Sequence, residues 1–115
     1  MDEEKQDIAN FTGLNLDDVR TFKIGDKIHF DAMALCKILK IKNPTAALRK
    51  IPENNLRTVT VDGEDVLVVN EGGLYLLMFK SDSPAANKFN DWIFDRVVPE
   101  IVETGGYNVG KKIVN

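Results

Sequence analysis

Apolar and polar positions alternate in two stretches of this chain and recur at helical spacing in four others. The first alternating stretch is Val19–Ile24, then Gly25-Asp26, then Lys27–Phe30. Phe22 and Ile24 share one strand face, as do Ile28 and Phe30, and a two-residue loop opening on glycine suits a tight hairpin. The second is Arg57–Val61, Asp62-Gly63, Glu64–Val69. Asp-Gly fits a turn that needs positive φ at both central residues. Val59 and Val61 alternate with Thr58 and Thr60, which predicts a half-buried strand. Val66–Val69 is apolar on both faces and belongs inside the sheet or under helices.

Helical signals surround these hairpins. Asp31 is placed to cap a helix through about Lys40 that buries Leu35, Ile38 and Leu39. Asn43-Pro44 sets a cap before a proline, whose missing N–H costs nothing at the first helical position. That helix runs to about Lys50 and stops before Pro52. Asn70 caps a third helix over Leu74–Phe79, although a six-residue apolar run also suits a strand. Ser83-Pro84 opens the clearest helix, with Phe89, Ile93, Val97 and Ile101 every four residues and Trp92 alongside. Pro99 removes a backbone donor there, so a kink or fresh start is expected at residue 99. Gly105 and Gly106 end it. The expected architecture is α+β: two short β-hairpins with about four helices packed around them in a single domain. Residues 1–10 read as a frayed acidic N-terminus and 11–107 as the domain. Residues 108–115 read as a tail or the start of a linker.

Composition narrows the class. At 115 residues and 43% hydrophobic, with 29% charged, the chain is one ordinary soluble domain. A single cysteine forms no internal disulfide and no cysteine-based zinc site, which places the chain in an intracellular, reducing setting. No apolar run approaches the roughly 20 residues that span a bilayer, so no membrane partner is expected. The net charge of −3 argues at first against nucleic acid. Its distribution argues otherwise: residues 1–18 carry net −5, residues 19–61 net +6, and residues 62–104 net −6.

Catalytic chemistry is sparse. His29 stands alone on the polar side of its strand and reads as a surface or partly buried structural histidine. Cys36 lies mid-helix beside Leu35 and reads as a small buried residue. Ser83 is accounted for as a cap, and Asp91 with Asp95 is an i,i+4 pair on a solvated face. No cluster has metal-ligand spacing, and no cofactor is expected. Gly105 to Lys112 matches G-x-x-x-x-G-K of the phosphate-binding loop only superficially. Lys112 stands where a Ser or Thr must reach magnesium, a helix precedes the loop, and only five residues follow Gly110. The chain is not expected to be an enzyme.

From Val19 to Tyr107 the landmarks resemble a known family. They begin with Val19-Arg20, Phe30, Asn43-Pro44 and Ala46-Ala47-Leu48. Asn70-Glu71-Gly72-Gly73-Leu74-Tyr75, after Val69, is similar to I-N-E-x-G-L-Y. Ser81, Pro84, Ala86, Phe89 and Trp92 follow at matching distances. Val97-Val98-Pro99, Ile101 and Thr104-Gly105-Gly106-Tyr107 resemble V-L-P-x-I-x-x-T-G-x-Y. Together these resemble the N-terminal domain of the baculovirus-repeated-ORF (Bro) family, also found in phage antirepressors. The signature positions Asn70, Glu71, Gly73, Leu74, Tyr75, Phe89, Trp92, Pro99, Gly105 and Tyr107 read mainly as core or turn residues.

The resemblance implies a DNA-binding regulatory domain of a viral or phage protein, acting in the cytoplasm or in a host nucleus, often with a further C-terminal domain. Two departures stand out. Ala34 and Lys40 occupy positions where the family commonly has aspartate and glycine, and Asp82, Asn87, Asn90 and Val102 stand where it favours bases. The residues themselves place double-stranded DNA elsewhere. Lys37, Lys40, Lys42, Arg49, Lys50 and Arg57 fall within 21 residues that hold one acid, Glu53. Asn43 and Thr45 open a helix N-terminus suited to phosphate. Thr45 and Arg49 are i,i+4 neighbours able to reach a groove. Arg20, Lys23 and Lys27 extend the patch. The competing reading is a protein-interaction module whose acidic face, residues 62–104, contacts a repressor or host protein. Homo-oligomerisation is a third use of the same surfaces.

Overall fold

A computed structural model describes residues 3–103, with side chains placed as far as Glu100. Both hairpins form where the alternation put them. β1 (Thr21–Ile24) and β2 (Lys27–Asp31) turn at Gly25, whose φ is 66°. β3 (Leu56–Val61) and β4 (Glu64–Asn70) turn at Asp62 and Gly63, with φ of 51° and 81°. Two successive positive φ values match the twist of the flanking strands, and Gly63 adopts its own without a Cβ penalty.

What alternation could not show is how the hairpins meet. His29, Phe30 and Asp31 of β2 pair antiparallel with Asn70, Val69 and Val68 of β4. The result is one four-stranded sheet in the order β1-β2-β4-β3. Directly paired residues point to the same side. Phe30, Val69 and Leu56 therefore share the face that joins the core, whereas Phe22, His29 and Asn70 share the other. His29 is accordingly not a surface residue. It is 9% exposed because β2 lies inside the sheet with a neighbour on each side.

The helical caps are as the sequence placed them. Asp31 caps α2 (Ala32–Ile38), its carboxylate accepting the Ala34 N–H at 3.2 Å. α2 ends in a 6→1 and 5→2 pair of hydrogen bonds: Ile41 N–H donates to the Cys36 carbonyl and Lys40 N–H to that of Lys37. This closure requires left-handed backbone between them, and Lys40 adopts it with φ 56°. That conformation is why a glycine suits this position. Asn43 caps α3 (Pro44–Arg49), and Asn70 caps α4 (Glu71–Lys80), which settles the six-residue apolar run as helix. Ser83 caps α5 (Pro84–Trp92). Leu35, Leu39, Leu74, Leu77 and Met78 fill the core with Phe30 and Val69. At Gly73 a Cβ would lie 2.8 Å from Val69 Cβ, so α4 can approach β4 only on a glycine.

Two expectations need correction, and a third is made specific. Residues 1–10 are not all frayed, since α1 spans Glu3–Thr12 and buries Ile8 and Thr12. Its remaining positions are mostly polar, which hid the helix from a hydrophobic reading. At Pro99 the expected kink or fresh start takes a specific form. A π-helical turn over Ile93–Val97 precedes α6 (Val98–Glu103), and Val98 N–H bonds the Ile93 carbonyl five residues back. The wider turn accommodates the donor that proline lacks at position 99. It also shifts the four-residue repeat, leaving Phe94 59% exposed. Trp92, finally, is not core. It is 43% exposed and packs edge-on against Phe11, with centroids 5.6 Å apart. Gly105, Gly106 and Tyr107 lie outside the described residues.

Candidate nucleic-acid interface

The basic segment occupies the end of α2, the connection that follows, and α3. Lys37, Lys40, Lys42, Thr45, Arg49 and Lys50 are all exposed. Among the described residues none of these five cations forms an ion pair. Leu48 and Ile51 of the same segment are buried. Thr45 and Arg49 flank a shallow cleft of about 330 Å³ floored by Met33, Leu48, Leu56 and Leu67. The long side chain of Arg49 thus leaves an apolar surface for solvent.

The α3 N-terminus offers phosphate less than its cap suggests. Pro44 has no N–H, Asn43 Oδ1 accepts from Ala46 at 3.2 Å, and the Asn43 carbonyl accepts from Ala47 at 3.0 Å. Of these first positions only the Thr45 N–H is left to meet an anion. The electrostatics of this face therefore come from side chains and not from the helix end.

The remaining predicted cations divide into two pairs. Arg20 donates from Nε and Nη2 to Asp31 Oδ2, at 3.2 and 3.0 Å, and lies 5.8 Å from the Phe22 ring centroid. Lys23 sits 3.7 Å from Glu4. Both are held by acids. Lys27 and Arg57, by contrast, form no ion pair among the described residues and line one hollow of about 440 Å³.

That hollow lies where the two hairpins meet the start of α4. His29 and Asn70, paired across β2 and β4, reach it from the sheet, and Asn54 and Glu71 from the flanking chain. Asn70 holds the arrangement in place. Its Oδ1 accepts from Gly73 N–H and from Asn55 Nδ2, both at 2.9 Å, and its Nδ2 donates to the Asn54 carbonyl at 3.4 Å. Tyr75 donates its hydroxyl to Glu71. Burial, and then that carboxylate, push the Tyr75 phenol above its ordinary range. The sequence reading treated Asn70, Glu71 and His29 as cap, turn and isolated residues. No sequence signal joins them, since His29 falls on the polar side of an alternating strand, Lys27–Asp31, and Asn70 lies forty-one residues away.

The other titratable group that moves is Cys36. Burial pushes its thiol up to about 11, which removes it as a nucleophile. No group of three or more metal-ligating acids, histidines or cysteines occurs among the described residues. No helix of the described residues is long and apolar enough to cross a membrane.

Similarity to known proteins bears on the same region. The sequence pattern of the BRO family, N-terminal domain, matches residues 18–99. An uncharacterised protein of Haemophilus influenzae is 32% identical over 81 residues, covering 65% of this chain and 40% of that protein. Protein 201R of invertebrate iridescent virus 6, named for a Bro-N domain, is 27% identical over 111 residues, covering 74% and 26%. Protein 019R of invertebrate iridescent virus 3, named likewise, is 31% identical over 51 residues, covering 44% and 13%. The chain thus spans well under half the length of the curated relatives it matches. No solved structure matches it.

Proposed function

Since the chain belongs to the BRO family through its N-terminal domain, we propose that it is the DNA-binding part of a transcription-regulating protein of viral or phage type. One observation carries this reading: Lys37, Lys40, Lys42, Arg49 and Lys50, close together in sequence, all stand exposed and without an ion pair among the described residues. Cations so placed retain their full attraction for phosphate. Neutralising phosphates releases counterions, so affinity depends on salt with a slope of about −0.9 per contact. The lysines grip the backbone, and Thr45 with Arg49 is placed to enter a groove. Fluorescence anisotropy of duplex DNA across a salt series tests it. The expected log–log slope is about −3 to −5. Unchanged affinity after charge reversal at Lys40, Lys42, Arg49 and Lys50 would remove this surface from the reading.

A second reading is favoured by the end of α4 and the π-helical turn. Phe79 and Phe94, with centroids 5.9 Å apart, are exposed beside the acids Asp91 and Asp95. An apolar patch bordered by acids suits a protein partner such as a repressor or host factor. Co-elution with a purified repressor, retained at high salt and lost with Phe94→Ser, would favour it over DNA.

A further inference from the structure

A face that grips phosphates needs no hollow, yet the junction of the two hairpins holds one of about 440 Å³. Its polar lining differs in exposure, and His29, at 9%, is the least exposed of these side chains. Its Nδ1 lies 3.3 Å from the Lys27 carbonyl, which assigns the ring proton to Nδ1 in the neutral form. Nε2 then carries a lone pair and has no hydrogen-bond partner among the described residues. Glu71, half-buried, brings a carboxylate that already accepts from Tyr75. A carboxylate has room for further donors. The less exposed groups are therefore acceptors.

The more exposed groups have the opposite character. Lys27 and Arg57 are exposed cations with no ion pair, while the half-buried Glu4, which also lines the hollow, is engaged with Lys23. Ile24, paired with Lys27 and so on the sheet face of His29, adds apolar wall. The complementary ligand presents N–H donors at one end, an anion at the other, and a flat apolar body between. Inorganic phosphate lacks the N–H donors, and a paired base turns one of its two amine hydrogens toward its partner, leaving a single one for two acceptors.

The geometry points to this hollow as a pocket for one unstacked nucleotide of a DNA strand, with an exocyclic amine on its base. The amine of adenine or cytosine donates to His29 Nε2 and Glu71, and the adjoining phosphate lies against Lys27 and Arg57. Exposing a base in this way costs least where it is already unpaired. The proposal rests on the DNA-binding reading and adds to it a second, shape-dependent contact separate from the lysine face.

Anisotropy with the full chain tests it on three labelled duplexes: fully paired, with one unpaired adenine, and with one unpaired thymine. The adenine duplex is expected to bind about tenfold tighter than the other two. His29→Phe fills the hollow, and Glu71→Gln removes the charged acceptor. Either is expected to reduce the adenine duplex to the paired value while leaving paired-duplex affinity unchanged. Should His29→Phe fail to fold, the His29 ring resonances of the unaltered protein replace it. They are expected to move with deoxyadenosine monophosphate and to stay in place with inorganic phosphate. Binding of paired duplex with no adenine preference and unmoved His29 resonances would overturn the pocket and leave the lysine face standing. Movement of His29 by the free nucleotide, with no oligonucleotide bound, would overturn the DNA assignment of pocket and face together.

Discussion

The two candidate surfaces each begin at an asparagine that caps a helix, and there the likeness ends. Asn43 is exposed, bonds one N–H from its side chain, and opens a helix of six residues. Around it stand cations with no acids beside them in sequence between Lys37 and Lys50. Asn70 bonds three groups from its side chain and joins the end of β4 to α4 and to the residues before β3. Around it acceptors and cations line one hollow. The first region has charge with little shape; the second has shape with mixed charge. Identical cap chemistry thus serves one surface as a local turn and the other as a scaffold, and the neighbours decide which.

Breaking the charge without touching the shape should give the largest effect. Charge reversal at Lys40, Lys42, Arg49 and Lys50 is expected to weaken duplex binding at least 100-fold at low salt, about 2.7 kcal/mol. Melting temperature should hardly move, because all four side chains are exposed. Anisotropy and thermal denaturation together check it.

Next in size comes the scaffold. Asn70→Ala leaves the Gly73 N–H and the Asn55 amide without their acceptor, and urea denaturation should show a loss of about 2 kcal/mol. Asn43→Ala removes one exposed cap bond and should cost about 1 kcal/mol or less. Equal losses at the two asparagines would erase the distinction drawn between them.

Lys40 lets stability and binding be pulled apart. Its left-handed backbone is unfavourable for a side chain, so Lys40→Gly should stabilise the domain by up to about 1 kcal/mol. The same change removes one phosphate contact, so duplex affinity should fall a few-fold and the salt slope become shallower by about one contact. A loss of stability would contradict the first half of the argument, and an unchanged affinity the second.

The smallest effect belongs to Cys36, which lies beneath the basic face and contributes to neither surface. Its folded-state pKa of about 11 lies above the ordinary thiol value of about 8.5. Ionisation therefore favours the unfolded chain: the contribution is intact below about pH 8.5 and is lost as pH rises toward 11. Denaturation midpoints should decline slightly over that window in the unaltered protein and not in Cys36→Ala. The native thiol should resist a disulfide reagent at pH 8 until the chain unfolds.

Much of the fold was legible because its signals are local. Asp31, Asn43, Asn70 and Ser83 each bond an N–H three residues ahead, a contact that depends on nothing distant. Asp62-Gly63 likewise carries its turn in two residues. The exposed lysines were legible for a related reason, since a charged residue without an apolar partner stays in water. Less legible were α1, whose burial rests on Ile8 and Thr12, and the π-helical turn, whose cause lies in a proline further along.

By itself, then, the amino-acid order determined the hairpins, the caps and the excess of positive charge between residues 19 and 61, all of them short-range consequences of side-chain type. Tertiary structure alone decided that β2 pairs with β4, that Arg20 and Lys23 are held by acids while Lys27 and Arg57 are not, and that His29 is buried beside Asn70 and Glu71. Those outcomes depend on residues more than ten positions apart being brought to hydrogen-bonding distance, and no periodicity along the chain records that distance.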